Sequence, residues 1–244
     1  MRNVVFWGSL PFLAPQALYV RRTAPRFAAA SGPSKGAVGA GPGKRLVAIG
    51  DSIVAGVGAE TLDDALVGCT ARALARELDC RVHWEAIGAA GYNSRKVIDH
   101  LLPQVPAATV DYFVVSVGVN DITGVKTIST WRKNLDALLR SLASHSPNAM
   151  IGVAGIPPLH GFPLLPQPLR TVAGLRGRSF ELAGRSIASG FPQVVHVPVD
   201  FEPEPSKFAD DGYHPSPESY RLFGDAMARS LLAGQPVSML ETRS

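Results

Sequence analysis

The sequence predicts an α/β fold, a three-layer α/β/α sandwich built on a parallel sheet of five strands. From residue 45 onward, short apolar segments alternate with longer amphipathic ones, the pattern of parallel strands connected by helices on both faces of a sheet. The third apolar segment, residues 112–117, carries no charged residue, as expected of a strand buried on both faces. The chain has 244 residues, enough for one such domain with a buried core.

Each predicted element follows from a local pattern. Thr61 is suited to cap the first helix, because its hydroxyl can accept a hydrogen bond from the first helical turn. Ser94 is suited to cap the second helix, and Pro217 suits the first position of the last one. A loop with five prolines, residues 157–168, precedes the fourth helix. The predicted strands are residues 45–49, 82–87, 112–117, 150–154 and 194–197, and the predicted helices are residues 61–78, 94–102, 130–145, 169–188 and 217–232.

Charge is unevenly distributed along the chain. Residues 1–45 contain seven Lys or Arg and no acidic residue, whereas the remainder contains 17 basic and 20 acidic residues. The net charge of +4 therefore originates in the N-terminal part, and the folded domain lacks the basic stripe with interleaved aromatics that nucleic-acid binding requires. We expect no nucleic-acid partner.

The N-terminal residues 1–44 are predicted to lie outside a folded domain of residues 45–235, with a short tail at 236–244. Residues 3–20 are uncharged and mostly apolar, but they include Pro11 and Pro15 and are marginally short for the ~20 residues of a membrane span. Arginines separate them from the small-residue site at 28–30, which argues against a cleaved signal peptide. Residues 31–44, rich in Gly, Pro and Ser, are predicted to be a linker.

Three interpretations of the apolar segment remain open: an uncleaved anchor, an interfacial segment held to anionic lipid by arginines, or an arm packed on the domain. Membrane association through residues 1–22 is favoured. The predicted location is therefore cytoplasmic or membrane-associated, with export on an uncleaved anchor as the alternative. The sequence carries no signal for the oligomeric state.

Cysteine and histidine usage predicts neither disulfides nor a metal site. The two cysteines, Cys69 and Cys80, do not form a disulfide framework, and Cys69 falls on the apolar face of a predicted helix. No Cys/His cluster has the spacing of a zinc site. We therefore expect no metal and no cofactor.

Residues able to do chemistry follow the predicted strands at one edge of the sheet. Asp51 and Ser52 follow the first strand, glycines 88 and 91 the second, residues 118–121 the third, and Asp211 and His214 the fifth. Because the carboxyl ends of parallel strands meet at one edge, these residues should lie close together. A nucleophilic serine needs a base and an orienting acid, and His214 and Asp211 supply both. Each motif alone also fits a structural role, as a helix cap, a turn or a surface pair.

Together the blocks resemble those of the SGNH hydrolases, the GDSL esterase/lipase superfamily. The blocks occur in the family's order over residues 50–216: Gly50-Asp51-Ser52-Ile53, Ala90-Gly91-Tyr92-Asn93-Ser94, Gly118-Val119-Asn120-Asp121 and Asp211-Gly212-Tyr213-His214-Pro215-Ser216. Ile53 stands where the name-giving pattern has Leu, and Glu85 or Ala86 stands where an Asn often precedes the glycines of the second block. The resemblance implies the flavodoxin-like SGNH hydrolase fold over residues 45–235, in a single-domain bacterial esterase or fatty-acyl thioesterase-like member.

The resemblance also implies a mechanism. Ser52 would attack an acyl carbonyl, His214 would take and return its proton, and Asp211 would orient the imidazole. The backbone N–H groups of Ser52 and Gly91 and the side-chain amide of Asn120 would form the oxyanion hole. Asp51 and Asp121 are expected to brace loops.

A small-molecule acyl ester or a lipid-like molecule is the expected substrate. The apolar proline-rich loop is interpreted as either a rigid cap on the core or a wall of an acyl pocket. The predicted substrate-binding residues are Ile53, Tyr92, Ile122, Phe162, Leu164 and Leu165. The predicted reaction is hydrolysis of short- to medium-chain carboxylic esters through an acyl-enzyme on Ser52, with acyl thioesterase or lysophospholipase activity as alternatives.

Other function classes fit the sequence less well. Gly56-Val57-Gly58 follows the first strand, but Thr61 stands where a dinucleotide-binding fingerprint needs its third glycine. No Gly-x-Ser-x-Gly occurs in the chain, which argues against an α/β-hydrolase. The non-enzyme alternative is a lipid-binding module on the same fold, since a fold does not dictate a function.

Overall fold

A six-stranded sheet forms the middle layer of the computed structural model, which describes residues 2–23, 27–199 and 204–234. The strands are β1 (Lys35–Val38), β2 (Gly43–Gly50), β3 (Arg81–Gly88), β4 (Tyr112–Ser116), β5 (Met150–Ala154) and β6 (Val194–Val197). Their spatial order is β1-β3-β2-β4-β5-β6, with β1 antiparallel to β3 and the other neighbours parallel. The predicted α/β sandwich is confirmed, and the sheet has one more strand than predicted.

The additional strand lies in the segment predicted as a linker. Lys35 pairs with Glu85 and Val38 with Val82, and the Lys35 Nζ atom lies 3.0 Å from Glu85 Oε1. At Gly36 a Cβ atom would lie 2.4 Å from the Trp84 ring, so only glycine permits this close approach. Four residues without apolar alternation carry no strand signal of their own, and the pairing with β3 decides the structure of this segment.

Helices cover both faces of the sheet. They are α1 (Arg2–Thr23), α2 (Leu66–Leu78), α3 (Ser94–Lys96), α4 (Val119–Thr123), α5 (Ile128–His145), α6 (Leu169–Ala188) and α7 (Pro217–Ala233). α3 continues as a π-helical turn, Val97–Leu101, and a 3₁₀ turn, Leu102–Gln104. The first predicted helix, residues 61–78, begins at Leu66 in the structure, five residues later than predicted. The Thr61 hydroxyl does not cap it but donates to Asp64 Oδ2 (2.8 Å) within the preceding turn.

Two apolar clusters separated by the sheet form the core. On one face α2 and α7 pack against side chains such as Leu46 and Val114. On the other face α5, α6 and the π-helical turn pack against Val47 and Phe113. Neighbouring residues of one strand thus enter opposite clusters, as the alternation of side chains in a strand requires. The three layers hold the carboxyl ends of β2 to β6 at one edge.

The N-terminal helix α1 lies on the outer side of α6. Phe6 and Leu13 are buried, and the Phe6 ring centre lies 4.0 Å from the guanidinium carbon of Arg176. The Gln16 side chain donates to the carbonyl of Gln167 (2.8 Å) and accepts from the backbone N–H of Leu169 (3.1 Å). Of the three interpretations of the apolar segment, the structure adopts the packed arm.

The predicted membrane anchor in residues 1–22 is wrong. Among the residues that the structure describes, none of the helices combines the length and apolarity needed to cross a membrane. The prolines, glycine and polar residues within α1 lower its apolar content, and two of its large apolar side chains face the domain. The predicted tail, residues 236–244, lies outside the described residues.

Candidate active site

Ser52 lies in the turn that follows β2, next to the start of the segment after β4. Gly50 ends β2 where a Cβ atom would be 2.1 Å from the Ser116 carbonyl oxygen, and Asp51 N–H donates to that same oxygen (3.0 Å). The close approach of two strand ends turns the chain sharply and leaves Ser52 at the sheet edge with 9% of its surface exposed. β2 is also where the chain order of the sheet reverses, the usual position of a ligand site in this architecture.

The structure brings Ser52 together with His214 and Asp211. His214 Nε2 lies 3.0 Å from Ser52 Oγ, and His214 Nδ1 lies 2.5 Å from Asp211 Oδ2. The other carboxylate oxygen of Asp211 accepts the backbone N–H groups of Tyr213 and His214, both at 2.9 Å. Burial acts to raise the pKa of Asp211, but the hydrogen bonds from His214 and Tyr213 outweigh it and hold this pKa below its ordinary value.

Three residues with available hydrogen-bond donors, Ser52, Gly91 and Asn120, line the open space beside the Ser52 side chain. Within the described part of the chain, the backbone N–H groups of Ser52 and Gly91 donate to no protein acceptor. Gly91 has φ +78°, a backbone conformation that favours glycine, and nothing lies within 4 Å of where its Cβ would be. Asn120 Nδ2 donates one hydrogen to the Tyr92 carbonyl (3.0 Å), which orients the amide and leaves its second hydrogen for a ligand.

Asp121 links the loop after β3 to the loop after β4. Its carboxylate accepts the Ser94 hydroxyl (2.6 Å) and the Ser94 backbone N–H (2.8 Å), and Asn134 donates to the same hydroxyl (2.9 Å). Burial raises the pKa of Asp121, against the hydrogen bonds from Ser94. The network fixes the start of α3 and with it the loop that carries Gly91.

Asp51 is a second buried carboxyl group beside Ser52. Only 3% of its surface is exposed, and burial raises its pKa to about 7, despite hydrogen bonds from Ile53 N–H (3.2 Å) and Ser116 Oγ (3.3 Å). The hydrogen bond to Ile53 closes the turn that presents Ser52. Asp51 thus holds the turn and makes no hydrogen bond with the Ser52 hydroxyl in the described structure.

Two spaces adjoin Ser52, His214 and Asn120. The enclosed cavity, about 70 Å³, is mainly apolar, with Ile53, Val117, Ile156, Phe162, Phe208 and Phe223 in its wall. The open cleft, about 470 Å³, is lined by Phe27, Ser52, Val57, Ala90, Gly91, Asn120, Tyr213 and His214. Tyr213 lies between the two spaces and lines both.

The predicted substrate-binding residues divide into two groups. Ile53 and Phe162 line the enclosed cavity. The other four line neither space: Ile122 and Leu165 are buried in the core, the Leu164 backbone N–H donates to Gly212 O (3.2 Å), and the Tyr92 ring lies against Lys96 and His100.

The predicted site residues omit several residues that line the two spaces. Val117 directly follows a strand and could have been selected by position, but Phe208 and Phe223 reach the cavity through long-range packing. Phe27 belongs to the segment predicted to lie outside the domain. Glu181 and His196 also had no predicted role, yet Glu181 Oε2 accepts the Ile156 N–H (2.7 Å) and Oε1 lies 3.1 Å from His196 Nε2, which braces the cavity wall.

Known proteins resemble this chain in sequence. Residues 48–222 match the model of the GDSL-like lipase/acylhydrolase family. A GDSL-like esterase of Mycobacterium tuberculosis is 27% identical over 250 residues, which cover 94% of this chain and 78% of the relative.

Solved structures share the fold. The lipase Lip_vut3 from a goat rumen metagenome has a TM-score of 0.63 at 18% identity, covering 78% of this chain and 97% of the lipase. TesA has a TM-score of 0.58 at 19% identity, covering 78% of this chain and 99% of TesA.

Proposed function

Since the chain belongs to the GDSL-like lipase/acylhydrolase family and is a carboxylic ester hydrolase, we propose that it cleaves esters of short- to medium-chain acyl groups through an acyl-enzyme on Ser52. The observation that carries the proposal is the contact between His214 Nε2 and Ser52 Oγ at 3.0 Å, with Asp211 bound to the other imidazole nitrogen. This is the arrangement that makes a serine hydroxyl nucleophilic near neutral pH.

The first half of the reaction acylates Ser52. The hydroxyl oxygen attacks the ester carbonyl while His214 Nε2 accepts the hydroxyl proton, and the carbonyl oxygen becomes an oxyanion. Ser52 N–H, Gly91 N–H and the free amide hydrogen of Asn120 stabilise that charge. The tetrahedral intermediate then expels the alkoxide, which takes the proton from His214 and leaves as the alcohol.

The second half releases the acid. Water donates a proton to His214 and attacks the acyl carbonyl, and the same three donors stabilise the second oxyanion. Collapse breaks the bond to Ser52 Oγ, which regains its proton from His214. Asp211 remains ionised throughout and stabilises the imidazolium formed in each half.

The enclosed cavity is the proposed acyl site and the open cleft the proposed exit for the alcohol. An acyl chain stays bound through both halves and benefits from a wall formed by residues such as Val117, Ile156 and Phe162. The alcohol must leave before water enters, which an open cleft allows. The small volume of the enclosed cavity favours short chains over long ones.

A substrate panel tests the proposal. We expect wild type to hydrolyse p-nitrophenyl acetate and butyrate faster than octanoate, and oxygen esters faster than butyryl or octanoyl thioesters of the same chain length. Ser52→Ala should lower kcat at least about 10³-fold. Ser186→Ala, which removes an exposed hydroxyl on α6, is the matched control and should retain wild-type rates. Equal rates for wild type and Ser52→Ala would disprove the mechanism. Faster hydrolysis of the thioesters than of the oxygen esters would make thioesters the substrate class.

A further inference from the structure

The aromatic ring of Phe27 belongs to the open cleft although its residue precedes the whole sheet. It lines this cleft together with Ser52, Gly91 and His214. The residue is 41% exposed, so a ligand in the cleft could cover apolar surface of its side chain. Phe27 thus supplies apolar surface beside the reacting atoms from outside the predicted hydrolase domain.

Hydrogen bonds attach Ala30 and Ser31, three and four residues after Phe27, to the loop that follows Ser52. Ala30 N–H donates to Ala55 O (3.0 Å), and both the N–H and the hydroxyl of Ser31 donate to Glu60 O (2.9 Å each). Ser31 also forms a parallel bridge with Thr61. These contacts set the position from which Phe27 enters the cleft.

Gly56 and Gly58 allow neighbouring segments to pack closely against the loop that follows Ser52. At Gly56, with φ +72°, a Cβ atom would lie 2.7 Å from the Cβ of Ala30. At Gly58, with φ +96°, a Cβ atom would lie 2.6 Å from the Pro215 carbonyl. Between them, Val57 N–H donates to Ser52 O (3.0 Å) and Val57 lines the open cleft. Gly56-Val57-Gly58 therefore packs the N-terminal segment and the His214 segment around the nucleophile turn.

The helix that precedes Phe27, α1, is also attached to the domain. α1 ends at Thr23, four residues before Phe27, and is held on α6 by the burial of Phe6 and Leu13 and by the hydrogen bonds of Gln16. Chain on both sides of Phe27 is thus attached to the domain.

We propose that Phe27 determines specificity for the leaving group, by contacting the alcohol part of the ester and favouring aromatic or branched apolar alcohols over small ones. The inference rests on the proposed function, in which the alcohol occupies the open cleft. Phe27, Val57, Ala90 and Tyr213 give this cleft an apolar lining, and an aromatic alcohol would contact the rings of Phe27 and Tyr213.

Two butyrate esters that share the acyl group and differ in the alcohol test the proposal. Wild type should prefer benzyl butyrate over ethyl butyrate in kcat/KM, followed by acid release at constant pH. Phe27→Ala should lower kcat/KM for benzyl butyrate about 5- to 20-fold and change ethyl butyrate less than about 2-fold. Phe12→Ala is the matched control, since Phe12 is 82% exposed on α1 and lines neither space. An unchanged benzyl-to-ethyl ratio in Phe27→Ala overturns the proposal.

A binding measurement separates failure of this proposal from failure of the proposed function. In the Ser52→Ala background, ligand-observed NMR measures the affinity for benzyl butyrate without turnover. Adding Phe27→Ala should weaken that affinity about 5-fold or more, and adding Phe12→Ala should leave it unchanged. If wild type hydrolyses neither ester, the proposed function fails. The affinity for benzyl butyrate still tests Phe27, because equal affinity with and without Phe27→Ala overturns its role.

Discussion

At the Asp211–His214 pair, burial and hydrogen bonding act in opposite directions on one carboxyl group. The hydrogen bonds prevail, so Asp211 is ionised at neutral pH and fixes the imidazole tautomer that has Nε2 free to accept the Ser52 proton.

Asp211→Asn should therefore lower kcat for p-nitrophenyl butyrate by about 10²- to 10⁴-fold, because an amide neither stabilises the imidazolium nor enforces that tautomer. Steady-state kinetics on the purified variant measures the loss. Asp210→Asn changes the exposed neighbouring residue in the same way and should retain wild-type rates. A wild-type rate in Asp211→Asn would contradict the assigned role.

Asp51 predicts a pH dependence of stability with a defined sign. Its carboxyl group has a pKa of 3.8 in the absence of burial and about 7 in the fold. Between these values the native state holds a proton that the unfolded chain has lost, so the contribution of Asp51 to stability is lost as the pH rises toward about 7.

Urea unfolding at about pH 4.5 and about pH 7.5 checks this sign. The free energy of unfolding of wild type relative to Asp51→Asn should fall between the two pH values, because the asparagine does not titrate. The other titratable groups are common to both proteins and cancel in the difference. A difference that stays constant or rises with pH would contradict the raised pKa.

The proline-rich loop, residues 157–168, contacts both the enclosed cavity and the segment that carries Asp211 and His214. Phe162 is 4% exposed, lines the enclosed cavity, and its ring centre lies 5.1 Å from that of Phe208 and 5.2 Å from that of Tyr213. Leu164, two residues later, is hydrogen-bonded to the Asp211–His214 segment through its backbone and lines neither space. The loop thus contributes a wall of the enclosed cavity and a backbone hydrogen bond to the segment that carries Asp211 and His214.

Phe162→Ala should shift the acyl preference toward longer chains, because it lengthens the enclosed cavity. We expect the octanoate-to-butyrate ratio of kcat/KM to rise about 3- to 10-fold, measured with p-nitrophenyl esters. Leu164→Ala, in the same loop but outside the cavity, should leave the ratio unchanged. Identical chain-length profiles in both variants would show that this cavity does not hold the acyl chain.

Elements with a strong local pattern were predictable, and elements that depend on partners were not. The runs ending at Ile49 and Ala154 are apolar on both faces, and the structure has strands there. β1 depends on Trp84 and Glu85 of its neighbour, and α1 contains Pro11 and Pro15, which argue against a helix in the sequence alone.

At the scale of the whole molecule, α1 is part of the folded unit. Phe6→Ala should lower the free energy of unfolding by about 2 kcal/mol, since it removes a buried ring and its contact with Arg176. Phe12→Ala, on the exposed side of the same helix, should change it by less than about 0.5 kcal/mol. Denaturant unfolding measures both, and equal stabilities of the two variants would show that α1 does not pack on α6.

The candidate site combines parts that sequence order predicts with parts that only folding brings together. Parallel strands predict that Ser52, Gly91, Asn120 and His214 share one sheet edge, since each follows a strand or its extension. Phe27 reaches the same site because Ser31 binds the loop at Glu60, a pairing without any local signal in the sequence. In this site, the residues that line the cleft depend on long-range packing, whereas the positions of Ser52, Gly91, Asn120 and His214 follow from the order of the strands.

The central claim is an acyl-enzyme on Ser52, and trapping that intermediate tests it most directly. Wild type mixed with p-nitrophenyl butyrate, acid-quenched within the first turnover and digested, should carry one butyryl group on the peptide containing Ser52, located on this residue by tandem mass spectrometry. Ser52→Ala should carry none and should hydrolyse no ester above background. A butyryl group on another residue, or undiminished hydrolysis by Ser52→Ala, would contradict the account.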